Sequence, residues 1–283
     1  MTIEIICPLY NAKKYMDDLQ KSLEMQKNVN IQKIKYIVTD TGDNIENELS
    51  KLNCEFEVIK KDEFSHSLTR EKAAFSSKAD LLVFISQDIK IVNDNWLFEL
   101  TKPIENNEVD ATYSKQICID KTSIEYYTRQ KNYPKESKIK TKEDIEKIGM
   151  NAFFFSDAAS CIKRDVFVKL NGYDNKNLPT NEDMYIAYKL LMNGYKIKYV
   201  AESEVIHSHK FTFNQTFNRY KSYGKFLKME PEVNIKSVNA GSSLAKFIII
   251  QSIKDKNLAV IFKFFPDMLA RYVGMKEGMK SGK

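Results

Sequence analysis

The sequence predicts an α/β fold, with a mostly parallel central sheet flanked by helices and a helical extension at the C-terminus. Two observations predict the sheet, and a third predicts the extension. Short β-rich runs alternate with helix-length segments over the first 85 residues, as in chained βαβ units. Those runs are apolar without interruption, which suits strands buried on both faces. The last part of the chain mixes aliphatic and aromatic residues with lysines, in a pattern that suits helices.

The elements follow in order. "IEIIC" opens the sheet and a helix runs from about Lys13 to Gln26. "IKYIV" is the second strand, followed by a helix near Asn44 to Leu52; "FEVIK" is the third, followed by a helix from Leu68 to Ser77; "LLVFI" is the fourth. Beyond Asp88 the order changes. "NDNWLFEL" reads as a helix capped by Asn93 or Asp94, "DATYSKQICI" as a strand, and "TRQKNYPKESKIKTKED" as a charged, poorly structured excursion. "NAFFFSDAASCIKRDVFVKLNGYD" supplies a strand, a helix with Asp165 near its N-cap, and a stop at Gly172. "NEDMYIAYKLLMNGYKIKYV" gives a helix from Glu182 to Asn193, Gly194 just past its end, and a strand to Val200. Pro266 is expected to divide the tail into two helices. These elements predict a catalytic domain over 1–210 and a basic helical extension over 211–283.

A chain of 283 residues can bury a substantial core, and 43% hydrophobic with 29% charged residues is a globular composition. Cys7, Cys54, Cys118 and Cys161 are widely spaced and suggest neither a zinc site nor a disulfide framework, so reduced thiols and a cytoplasmic location are expected. The start "MTIEIICPLYNA" does not resemble a signal peptide, and no apolar run reaches the ~18 residues that cross a bilayer. The net charge of +6 is uneven: 210–283 holds 14 Lys and Arg against 5 Asp and Glu, or +9, leaving −3 before it. Such a tail suits nucleic acid or an anionic membrane surface, and composition does not separate them.

Ligands of parallel α/β sheets bind beyond the carboxyl ends of the strands, here Pro8 to Asn11, Asp40 to Asp43, Phe64 to Arg70, and Gln87 with Asp88. Neither G-x-x-x-x-G-K-[ST] nor G-x-G-x-x-G occurs, which argues against a P-loop kinase and a dinucleotide dehydrogenase. Asp88 ends a buried run, where a lone carboxylate is costly unless paired, although a turn acid or helix cap is as good an explanation. His207 and His209, two of the three histidines, alternate in "VIHSH" and so face one side of an extended segment. With Asp88, one of them could hold a divalent ion. Glu182 and Asp183 open a helix, where the dipole favours acids in any case; at a pocket mouth one of them could take a hydroxyl proton.

Taken together, "CPLYNA", "IVTDTGD", "FSHSLTR", "FISQD", "FFFSDAASCIKRDVFVKLNGYD", "NEDMYIAYKLLMNGYKIKYV" and "VIHSH" resemble, in this order, family 2 glycosyltransferases with the GT-A fold. Phe-x-His-x-x-Thr-Arg, Gln-Asp in place of the usual Asp-x-Asp, and the late His-Ser-His resemble the bacterial rhamnosyltransferase branch. The resemblance spans roughly residues 3 to 230. It implies that Pro8, Tyr10 and Asn11 line a nucleotide pocket, with Gln87 also at the donor, and that Asp40 contacts base or ribose. It implies that His66, Thr69 and Arg70 lie by the nucleotide and phosphates, and that Asp88 binds Mg²⁺ or Mn²⁺ with His207 or His209. Asp183 would be the general base and Glu182 its positioning partner. Two departures stand out: Ser86 and Gln87 precede Asp88 where many relatives have a second carboxylate, and Glu71 follows Arg70 where the branch usually has Asn.

The expected function is inverting, metal-assisted transfer of a sugar, L-rhamnose from dTDP-L-rhamnose or else a hexose from a UDP donor, to a hydroxyl of a surface polysaccharide or lipid-linked glycan. The expected partners are therefore a nucleotide-sugar donor, a glycan acceptor and an anionic membrane surface on the inner face of the cell membrane, without nucleic acid. The rival is a non-catalytic nucleic-acid or membrane-binding protein, in which Tyr220, Tyr223 and Phe226 interleave with Lys221, Lys225 and Lys228 as a stacking surface.

Overall fold

The computed structural model describes residues 1–235 and 240–281, with side chains described up to Ile235 and from Ser243 to Ser281. The first unit alternates as the pattern predicts: β1 (Thr2–Leu9), α1 (Lys13–Glu24), β2 (Asn30–Thr39), α2 (Glu46–Leu49), β3 (Glu55–Ile59), α3 (His66–Ser76) and β4 (Leu81–Ile85). α2 is a single turn, shorter than expected. α3 begins two residues earlier than expected because Ser65 caps it, its hydroxyl accepting from the Leu68 amide. Pro8 lies past the last β1–β4 pair, Ile6 with Phe84, so the ladder loses nothing by its missing N–H on that side.

The second half is richer than expected. It contains β5 (Lys90–Ile91), α4 (Trp96–Glu105), β6 (Ala111–Ile117), α5 (Ile124–Asn132), β7 (Lys138–Lys140), α6 (Glu143–Ile148), a 3-10 turn over Gly149–Phe153, β8 (Ala159–Lys163), α7 (Arg164–Lys169), α8 (Glu182–Met192) and β9 (Ile197–Ile206). The excursion expected to be poorly structured is thus α5, β7 and α6. Its charged residues mislead because several are satisfied internally: Lys140 is buried, donates to the Phe154 carbonyl and lies 4.9 Å from the Tyr113 ring centroid. Neither Asn93 nor Asp94 caps α4; its Leu97 amide instead finds the Gln26 side chain, 2.9 Å away and 71 residues distant. Asp165 lies near the N-cap of α7 as expected, in the first turn, and accepts from the adjacent Val166 amide.

The sheet order is β3-β2-β1-β4-β8-β6-β9-β5, with β7 pairing β9. The first four strands are parallel, whereas β8 is antiparallel to both β4 and β6, and β5 and β7 are antiparallel to β9. The sheet is therefore mixed beyond β4. Two apolar cores cover its faces, one around Ile5, Val83 and Trp96 and the other around Phe84, Phe167 and Leu190. β9 runs on to Ile206, past the expected end at Val200, with a shift of register where Ser114 and Lys115 pair Val200 and Glu204. A buried chain fixes it there: Trp96 Nε1 donates to Ser114 Oγ, which lies 2.8 Å from Ser203 Oγ, and Ser203 Oγ donates to the Trp96 carbonyl.

The tail forms α9 (Phe213–Met229), α10 (Ala240–Lys254) and α11 (Leu258–Ser281). Pro266 does not divide it. α11 runs through Pro266, and the break comes earlier, where Lys256 takes φ 52 between α10 and α11. α9 and α11 pack backbone to backbone, since a β-carbon on Gly224, Gly274 or Gly278 would collide with the opposing main chain. α10 and α11 also close a small apolar cluster against Ile124 and Tyr127 of α5. The proposed stacking surface is largely consumed by this packing: Phe226 is fully buried, Tyr223 packs on the core, and Arg271 covers Tyr220, lying 5.2 Å from its ring and donating to its hydroxyl. All four cysteines are free.

Candidate active site

The carboxyl ends of β1, β4 and β9 meet, and a two-residue strand that the sequence pattern did not reveal sets their registry. In the antiparallel β5–β9 pair, Lys90 faces Ile206 and Ile91 faces Val205. Continued back two residues, that register brings Asp88 level with Ser208, between His207 and His209. Asp88 Oδ1 lies 3.4 Å from His207 Nε2 and Oδ2 lies 3.6 Å from His209 Nδ1, while the two Nε2 atoms are 3.1 Å apart. Asp88 is a turn acid, as the simpler explanation held, but one aimed at two imidazoles. Burial pushes its carboxyl up, yet the hydrogen bond and charge of His207, with His209, outweigh this and hold it below the usual range.

These three residues fit a divalent cation. One ligand atom from each residue lies within 4.8 Å of the others, and both histidines belong to the group, where only one was expected. The surroundings suit ligation as well. His207 Nδ1 is 2.9 Å from Gln116 Oε1, and because that oxygen can only accept, Nδ1 keeps its proton and Nε2, on the Asp88 side, is the atom that would ligate once a cation displaces its proton. Arg129 also donates to Gln116 Oε1 and, through Nη2, to Glu125 Oε1 at 2.6 Å; Glu125 Oε2 accepts from the His209 amide at 2.8 Å. Gln116, Arg129 and Glu125 thus frame both histidines. All three were missed, since they lie on β6 and α5 without any local motif.

Gln87 explains the missing second carboxylate. Its amide accepts from the Tyr10 N–H at 2.6 Å and donates to the Tyr10 carbonyl at 2.8 Å, tying the β1 loop to the β4 loop. A carboxylate could make only the first of these bonds. Asn11 follows at φ 48. Asp40 stands exposed at the end of β2, its Oδ1 accepting from the Gly42 amide.

A second cluster lies under α3 and α8. Arg70, 5% exposed, places Nη1 3.1 Å from Glu182 Oε1 and 3.0 Å from the His66 carbonyl; Glu182 is 7% exposed. The expectation that Arg70 faces a phosphate is therefore not met, because its guanidinium is buried and committed to Glu182. Its Nε has no partner among the described residues. Thr69 is also turned inward, its Oγ1 accepting from the Ser65 amide. His66 packs edge-on against Phe64 at the surface. Glu71 is turned to the loop after α7 and accepts from the Tyr173 and Asn175 amides at 2.6 and 3.2 Å. Gly172 is required above it, since its φ is +48 and a β-carbon would come within 2.7 Å of Glu71 Oε1.

Asp183 follows Glu182 in the first turn of α8, and its Oδ1 accepts from the Met184 amide at 2.8 Å. Asp183 keeps a partial opening to solvent, but the protein packed around it, reinforced by the charges of Glu182 and Asp157, raises its carboxyl well above the ordinary range. Asp157 is a further missed acid. It is buried, accepts from Ser160 Oγ and Tyr173 OH at 2.7 Å each, and is pushed up to about 6 by burial despite the nearby Arg70 charge. Its neighbour Ser156 accepts from Gln116 Nε2 at 2.7 Å, so the cation frame and the acid cluster are joined through adjacent residues.

The model of Glycosyl transferase family 2 matches residues 4–170. The O-antigen chain rhamnosyltransferase WbaN of Salmonella anatum is 32% identical over 249 residues, 86% of this chain and 78% of that protein. The O-antigen chain rhamnosyltransferase RfbN of Salmonella typhimurium is 30% identical over 255 residues, 88% and 79%. Among solved structures, S. aureus TarS 1–349 with UDP-GlcNAc superposes with a TM-score of 0.58 at 14% identity, covering 100% of this chain and 93% of that one. The mannosyltransferase PcManGT of Pyrobaculum calidifontis, with GDP-Man and Mn²⁺, gives 0.60 at 10% identity, covering 99% and 76%. At those identities the two structures establish the GT-A fold alone. The sequence relatives and the family match establish more: the chain belongs to glycosyl transferase family 2 and is rhamnosyltransferase-like.

Proposed function

We propose that this protein is an inverting, metal-dependent glycosyltransferase that moves L-rhamnose from dTDP-L-rhamnose to a hydroxyl of a surface polysaccharide, working at an anionic membrane surface. The observation that carries the reading is the convergence of Asp88, His207 and His209 at the strand ends, joined through Gln116 and Ser156 to an acid cluster. When bound, a divalent ion there would supply a Lewis acid for the donor diphosphate. The rest falls to the chain. Tyr10, held by Gln87, and Asn11 would shape the nucleotide pocket with Pro8, and Asp40 would meet the base or ribose. Asp183, with a raised carboxyl at the start of α8, would take the acceptor proton as the new bond forms. Glu182 would position it, itself fixed by Arg70. The names of the relatives support rhamnose and a glycan acceptor.

The test is a donor screen with Mn²⁺, in which release of the nucleoside diphosphate is measured for dTDP-rhamnose, UDP-glucose, UDP-galactose and GDP-mannose. Turnover with dTDP-rhamnose at least tenfold above the others is expected. A preference for a UDP-hexose would overturn the donor assignment, and turnover in EDTA would overturn metal dependence.

A further inference from the structure

α11 carries two different faces. Gly274 and Gly278 press it onto α9, and Val260, Phe264 and Ala270 are buried beneath it. The opposite face is open, and over more than four turns it is almost entirely apolar. At roughly 100° per residue, Leu258, Phe262, Phe265, Leu269, Tyr272 and Val273 fall on one stripe ~24 Å long, from the ~1.5 Å rise per residue. All six are exposed, Phe262 at 78% and Phe265 at 71%. Two phenylalanines at that exposure on one stripe form an apolar patch that water covers at a cost. Pro266 lies beside the stripe without interrupting the helix.

Charge decides what covers it. Lys254 and Lys256 are exposed just before the stripe, and Lys276 and Lys280 continue its own line beyond Val273. Of the acids near these ends, Asp255 accepts from Tyr127 OH, and Glu277 lies about 100° round the helix from Lys276, off the line of the stripe, where Lys276 and Lys280 outnumber it. A second copy packed on this stripe, parallel or antiparallel, would set lysines against lysines at both ends. An anionic bilayer meets the same cations favourably, at ~1 kcal/mol for each one close to the surface. No helix among the described residues is long and apolar enough to cross a membrane, so α11 would lie in the plane of the interface.

We infer that the outer face of α11 is a docking surface for an anionic lipid bilayer, with Phe262, Phe265 and Leu269 inserted and Lys254, Lys256, Lys276 and Lys280 on the headgroups. This names the residues behind the membrane location proposed above and stands independently of the donor and acceptor. It also changes how the tail is tested. Deleting it would strip α9 and α5 of their packing, whereas the exposed stripe can be altered by point substitution.

The test is co-sedimentation of the full chain with vesicles of phosphatidylglycerol and phosphatidylcholine, or of phosphatidylcholine alone, at low salt. The wild type should bind the anionic vesicles at least tenfold more strongly than the neutral ones. Phe262→Ser with Phe265→Ser should lower anionic binding at least tenfold while leaving the circular-dichroism melt unchanged. Lys276→Glu with Lys280→Glu should lower it severalfold and weaken its salt dependence. Equal binding to both vesicle types, or unchanged binding by the phenylalanine variant, would overturn the proposal. So would a wild-type dimer in sedimentation velocity that the phenylalanine changes dissolve, which would assign the stripe to a second copy.

Discussion

Nη1 of Arg70 lies 3.1 Å from Oε1 of Glu182, and both side chains are almost cut off from solvent although 112 residues separate them. The pair joins the second turn of α3 to the start of α8. A buried ion pair is weak evidence for stability as such, but losing one partner leaves the other charge stranded. Arg70→Ala is therefore expected to cost about 3–5 kcal/mol in urea unfolding. Arg70→Ala with Glu182→Ala should cost less than the two single changes summed, because the double variant leaves neither member of the pair as a stranded charge. Strict additivity would show that the pair is not coupled.

The acid cluster predicts a pH profile. As the proposed base, Asp183 would work only when ionised, and its carboxyl is raised by burial and by the charges of Glu182 and Asp157. Activity should accordingly rise with pH along an acid limb set above the ordinary carboxylate range. Glu182→Gln removes one negative neighbour and frees Arg70 to act on the other acids, so the limb should move to lower pH. Asp183→Asn should lower turnover ~10²–10⁴-fold with donor affinity nearly intact. Retention of a tenth of wild-type turnover would show that another group is the base.

Gln116 predicts a metal effect at a distance. Its Oε1 holds the Nδ1 proton of His207 and leaves Nε2 free to ligate. Gln116→Leu removes that acceptor, and Mn²⁺ binding measured by electron paramagnetic resonance should weaken ~10–100-fold. Gln116→Glu restores an acceptor and should recover part of the loss. Equal binding by wild type and Gln116→Leu would show that the frame does not orient the ligand.

How far the sequence reveals this molecule depends on the range of the interaction. The four parallel strands are legible because each is an apolar run between turn signals, and the family motifs are legible because each is contiguous. Asp88, His207 and His209 stand out in the sequence as candidates, yet their convergence rests on β5, two residues long and without a pattern of its own. Gln116 and Arg129 carry no local signal, since their partners are set by the β6–β9 pairing. Arg70 misled for a related reason: a cation in a polar cluster suggests an anionic ligand, and its actual partner lies 112 residues on. Pro266 reads locally as a breaker, but α11 is packed on both sides of it, Val260 and Phe264 in the cluster with α5 and Gly274 and Gly278 against α9.

The central claim is that Asp88 and its histidines hold the ion through which the donor diphosphate binds. Calorimetric titration of dTDP-rhamnose into the wild type and Asp88→Ala, each with Mn²⁺ and with EDTA, tests it most directly. The account predicts tight binding only for the wild type with Mn²⁺, and for Asp88→Ala a weaker affinity that EDTA leaves unchanged. Equal affinity of the wild type in Mn²⁺ and in EDTA would contradict it.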